Sequence, residues 1–106
     1  MKLWVDDVRP APEGYIWCKT TKGTIDAILF HERALRETYM VDDCIELINI
    51  DHDAGEYAEY GGDYIKILDW LEATGRNYPI RIHSMNPVGV ENMRRIIQRN
   101  GWKEVK

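Results

Sequence analysis

The chain has 106 residues, 44% hydrophobic and 30% charged, with a formal net charge of −4 and 2 cysteines. That length fits one domain around one core, residues 1–106, and the acidic balance removes any general attraction to duplex nucleic acid or an anionic bilayer. Cys18 and Cys44 have no metal-ligand spacing and suggest no disulfide framework, so each reads as a small free thiol.

The chain opens directly on a strand, Lys2–Val5. No leader pattern and no apolar run long enough to cross a membrane is present, which sets the expectation of a cytoplasmic protein. Asp6–Gly14 carries Pro10, Pro12 and Gly14 and reads as a loop, too short for a helical crossover. A second strand follows at Tyr15–Lys19. Thr20 or Thr21 then caps a helix from about Lys22 to Glu37, with Ile25, Ile28, Leu29, Ala34 and Leu35 as its apolar stripe. Val41–Cys44 reads as a turn into a third strand, Ile45–Ile50.

An acidic loop, Asp51–Glu59, leads through Gly61 and Gly62 to a helix from about Asp63 to Ala73. Tyr64, Ile67, Leu68 and Leu71 form its buried stripe, and Gly75 suits its stop. Pro79 leads into a fourth strand, Ile80–His83. Asn86 is an N-cap with Pro87 at the first helical position, and that helix runs to Asn100 before Gly101. Trp102–Val105 is read as a fifth strand. The arginines 94, 95 and 99, with Lys103, read as a solvated helix face.

Strands alternating with helices imply a mainly parallel sheet, whose carboxyl edge is where ligands bind. Three strands end in polar residues there: Asp6 and Asp7; Asp51, His52 and Asp53; His83 and Ser84. Four carboxylates at one edge repel each other unless a cation or a cationic partner intervenes. Asp6, Asp7, Asp51 and Asp53 are hard oxygen donors, so a divalent metal is the expected cofactor, Mg²⁺ or Mn²⁺ first. His52 and His83 would widen the choice of metal or supply acid-base chemistry, although neighbours on a regular strand face opposite sides. The helix start at Asn86 offers amides to an anion, with Gly89 leaving room, and Arg9 or Arg81 could clamp phosphate oxygens. Trp4, Trp17, Trp70 and Trp102 could stack on bases but read first as core residues.

Asp6-Asp7, Asp51 and Ser84 resemble the acidic pair, phosphoacceptor and Ser/Thr of receiver domains. The run Leu3–Pro12, with Asp51-His52-Asp53, His83–Gly89 and Asn92-Met93, is similar to a narrower family, the cyclic-phosphate processing receiver-like domains. The resemblance implies a single three-layer, flavodoxin-like α/β domain. Its sheet would have five strands in the order 2-1-3-4-5, with a Pro-rich loop in place of the first helix. Only Lys106 could stand for the receiver lysine. The resemblance also implies phosphoryl chemistry, and two readings stay open. One is a metal-dependent phosphodiesterase or phosphatase for cyclic or terminal phosphates of nucleotides or RNA. The other is a non-catalytic module that accepts phosphate on Asp51 or senses a phosphorylated ligand. The site residues would be Asp51, His83, Asp53 and His52 for catalysis, Asp6, Asp7, Asp51 and Asp53 for metal, and Arg9, Ser84, Asn86 and Gly89 for phosphate. The expected partner is a phosphorylated small molecule or a nucleic-acid end.

Overall fold

A computed structural model describes residues 1–38 and 44–106. The turn expected at Val41–Cys44 lies outside the described residues except for Cys44. The elements in order are β1 (Lys2–Val5), β2 (Tyr15–Cys18), α1 (Thr21–Thr38), β3 (Leu47–Ile50), a short 3-10 turn (Gly55–Glu59), α2 (Ile65–Ala73), β4 (Ile80–Ile82) and α3 (Pro87–Asn100).

Local chemistry sets the element ends. The Thr20 hydroxyl accepts the Gly23 amide at 2.8 Å, so Thr20 is the cap of α1. Helix α2 starts two residues later than expected, because the Asp63 side chain turns back to accept the Ala54 amide at 3.0 Å. Asn86 caps α3 by accepting the Gly89 amide at 3.0 Å, and Gly101 closes it at a φ of 67°. Between β1 and β2 there is no helix. Asp6 folds the loop instead, accepting the amides of Val8 at 2.9 Å and Arg9 at 2.8 Å.

The sheet is parallel in the order β2-β1-β3-β4, with Leu3 level with Ile16 and Ile48, and Ile48 level with Ile80. Among the described residues it has four strands, which corrects the expected five and the order 2-1-3-4-5. Trp102–Val105 pairs with β4 at a single bridge, Ile80 to Glu104. Burial of Trp102 in the core and the three-residue length of β4 leave little strand to pair.

The layer count also needs correction. Right-handed crossovers running the same way across a sheet place their helices on the same face. The steps β2 to β3 and β3 to β4, and the return from α3 to Glu104, all run in one direction. The only step the other way, β1 to β2, is the helix-free loop. A single core results: Leu3, Val5, Ile48, Ile50 and Ile80 pack with Ile28, Ile67, Leu68, Leu71, Met93 and Ile97. Among the described residues no helix covers the opposite face of the sheet, so the fold has two layers rather than three. Alternation puts Lys2, Trp4, Tyr15, Trp17, Leu47, Asn49 and Arg81 on that face.

Candidate functional site

The carboxyl ends of β1, β3 and β4 meet at one edge, as parallel pairing requires. Asp6, Asp51 and His83 each offer a ligand atom there, all within 4.8 Å of one another. Among the described residues they are the one such group of His, Cys, Asp or Glu side chains.

Asp6 is fully buried. One carboxylate oxygen holds the Val8 and Arg9 amides, and the other meets His83 Nε2 at 2.9 Å, with Arg9 Nε at 4.0 Å. Desolvation pushes its pKa up, but the Arg9 and Val8 amides and the His83 contact together outweigh it and hold the group below the usual carboxylate value. The Trp17 indole N–H donates to the Asp6 carbonyl at 2.8 Å and ties β2 to this edge.

His83 is held on three sides. Nε2 faces Asp6, Nδ1 lies 2.6 Å from Asn49 Oδ1, and the Trp4 indole stacks on the ring with centroids 3.9 Å apart and planes 5° from parallel. Both ring nitrogens are engaged, so a proton-transfer role requires one of these contacts to open. Asn49 was not singled out from the sequence as a site residue. The available signal was a polar side chain inside an otherwise apolar buried run.

Asp7 lies beside Asp6 and Asp51. Burial first, then the charges of Asp6 and Asp51, raise its pKa. Its carboxylate fills the space where a side chain on Gly55 would begin. Asp51, half-buried, accepts the His52 amide at 2.7 Å through Oδ1.

His52 turns away from the cluster. Nδ1 contacts Asp53 Oδ1 at 2.8 Å, and the ring occupies the position a Gly89 side chain would take. The room expected at Gly89 is therefore filled by imidazole, and its amide is already bonded to Asn86. Asp53 is exposed and lies 3.4 Å from the Asn86 Nδ2 amide. Ser84 Oγ accepts the Asn86 amide at 3.1 Å. Arg9 donates through Nη1 to the His83 carbonyl at 3.3 Å, and its side chain is 47% exposed, so much of the guanidinium is open to solvent. Arg81 and Lys106 are exposed.

An open pocket of about 260 Å³ adjoins the cluster, lined by Arg9, Asp51, Asp53, Ser84, Met85 and Asn86. It joins one guanidinium and one amide to two carboxylates. That composition suits an anion held together with a cation.

A parallel α/β sheet with aspartates closing its first and third strands, and a serine just past the end of its fourth, defines a receiver-like domain. The family model for the cyclic-phosphate processing receiver domain matches residues 1–99, and the chain belongs to that family. No curated protein and no solved structure matched the chain.

Proposed function

We propose that this domain is a metal-dependent enzyme that opens or removes cyclic or terminal phosphates on nucleotides or RNA. The observation that carries the reading is the Asp6–His83–Asn49 chain, with Asp6 and Asn49 buried and His83 nearly so, set beside Asp51 at the rim of a pocket that also presents Arg9, Asp53 and Asn86. A domain that only accepts phosphate on Asp51 has no need of a histidine locked into its carboxylate cluster.

The donor set fits Mg²⁺ or Mn²⁺. Asp6 has spent both oxygens on protein donors, whereas Asp51 retains Oδ2, and Asp7, its pKa raised by burial and then by the Asp6 and Asp51 charges, carries a charge that a cation would offset. Asp7 and Asp51 would hold the ion, with Asp6 and Asp53 behind them. Bound there, it would neutralise the phosphate and draw charge from its oxygens. Arg9 and Asn86 hold the remaining phosphate oxygens, while Ser84 fixes the loop that carries Asn86. Asp53, braced by His52, takes a proton from the attacking water. The new bond joins that water oxygen to phosphorus, one phosphorus–oxygen ester bond breaks, and the departing alkoxide takes up the proton that Asp53 removed, which returns the carboxylate to its starting form. His83 acts as a positioning residue that fixes Asp6.

A second reading keeps one specific support. Asp51 closes β3 with one oxygen uncommitted, as phosphorylation of that carboxylate would need. Cyclic and linear nucleotide phosphates tested with added metals, alongside acetyl phosphate, separate the two. The enzyme reading expects metal-dependent turnover of the nucleotides; the acceptor reading expects an acyl phosphate on Asp51 and no turnover.

A further inference from the structure

We propose that the helix-free face of the sheet binds single-stranded nucleic acid and leads the strand's phosphorylated end into the pocket. The proposal rests on the phosphoryl-processing reading and narrows its substrate from a free nucleotide to a strand terminus.

Three observations carry it. First, among the described residues no helix covers this face, for a topological reason, and it is not built like a surface meant for water alone. Trp4 and Tyr15 pack edge to face with centroids 5.9 Å apart, and Trp17 stands level with Trp4 on the edge strand, 36% exposed. Rings on a sheet face are platforms on which successive bases stack without regard to sequence. Second, among the described residues the charges on this face are of one sign although the chain is acidic. Lys2 lies over the Tyr15 ring at 5.5 Å, Lys19 lies over Trp17 at 4.3 Å, and Arg81 is exposed on β4. Among the described strand residues no carboxylate alternates onto the face until Asp6 and Asp51 at its carboxyl edge. A polyanion complements that pattern; duplex DNA, too broad and stiff to lay bases on a flat sheet, does not. Third, the face runs into the candidate site. Trp4 stacks on His83, Asn49 of the same face bonds to His83, and Arg9 spans from the Trp4 side to the pocket. A strand lying across Trp17 and Trp4 would bring its last phosphate to Arg9 and Asp51.

The test is fluorescence anisotropy with a short labelled single-stranded RNA, a matched duplex and a free cyclic mononucleotide, using the intact chain. The single strand is expected to bind regardless of its terminal group, with log affinity falling against log salt at a slope of about −2 for three phosphate contacts. Lys19→Glu combined with Arg81→Glu is expected to weaken that binding by about tenfold or more. Quenching of tryptophan emission by the strand is expected to diminish in Trp17→Phe. Equal affinity for strand and duplex, or full binding by the double charge reversal, overturns the proposal. So does a self-associated chain that the same reversal dissociates, because a second copy would then be the occupant. Strand binding without turnover defeats the phosphoryl-processing reading and leaves the face standing. Turnover of the mononucleotide without strand binding does the opposite.

Discussion

Asp7 carries a charge that burial and the neighbouring Asp6 and Asp51 set against the fold in the absence of a cation. Burial and the nearby Asp6 and Asp51 charges raise the pKa of Asp7, so its ionised form is the destabilised one at neutral pH. Asp7→Asn is therefore expected to stabilise the metal-free protein, by roughly 0.5–2 kcal/mol as for other relieved functional sites, while abolishing Mg²⁺ binding. Denaturant midpoints with and without Mg²⁺ read both effects. A destabilised variant, or one that binds Mg²⁺ like the parent, contradicts the account. Gly89 gives a second residue-level prediction. Its missing side chain is the space that holds the His52 ring, so Gly89→Ala overpacks that contact at a cost of about 1–3 kcal/mol and releases Asp53 from His52. His83→Ala should fold, lose the Asp6 contact and lower kcat more than it raises KM. Unchanged kcat would leave the histidine a purely structural role.

At the scale of elements, the informative unit is the start of α3. Asn86 does two things with one amide: Oδ1 caps the helix and Nδ2 approaches Asp53. Asn86→Asp keeps an acceptor for the cap and adds favourable charge at the helix N-terminus, but it opposes Asp53 and any bound phosphate. The midpoint of unfolding should hold or rise while affinity for inorganic phosphate falls by about tenfold, because one charge-compatible hydrogen bond is lost. Isothermal titration with phosphate separates cap from site.

Most helix and strand cores were legible in the sequence because periodicity and capping residues are local signals. Tyr64, Ile67, Leu68 and Leu71 lie inward on α2 and its first turn, and Asn86, Pro87 and Gly101 bound α3 as their chemistry requires. The fifth strand failed because pairing depends on a partner's length and on where Trp102 is buried, which no local pattern encodes. The third layer failed for a related reason: the loop replacing the first helix was visible, but its consequence for the sheet's second face is topological. At the site, strand-end aspartates were readable as a class. Which oxygen each commits to, and the bracing of His83 by Asn49 and Trp4, are consequences of packing.

The whole molecule stores opposing carboxylate terms that fix its behaviour in acid. Asp6 lies below its ordinary value, and so does Glu32, where the Arg76 hydrogen bond is the largest cause and Tyr78 adds to it. Arg76 Nη2 reaches Glu32 Oε1 at 2.8 Å and ties α1 to the segment after α2. A depressed carboxylate contributes stability that is complete above its unfolded pKa and is lost as pH falls through its folded one. Asp7 runs the other way, since protonation removes its penalty. Stability without metal should therefore stay nearly level down to about pH 4 and fall steeply below it, where Asp6 and Glu32 take up protons. Urea midpoints across that range check the shape, and Asp6→Asn should flatten the acid limb. A steady rise in stability through pH 3 would contradict the assignments.

The central claim is that the carboxylate edge performs phosphoryl chemistry with a metal. Phosphorus NMR tests it most directly, by following a ribose cyclic phosphate incubated with the protein and Mg²⁺ or Mn²⁺. The account predicts that the cyclic signal converts to a monoester signal only when protein and metal are both present. It also predicts that Asp51→Asn reduces that rate by at least about a hundredfold. A cyclic signal that persists unchanged with either metal, or equal conversion by Asp51→Asn, would contradict it.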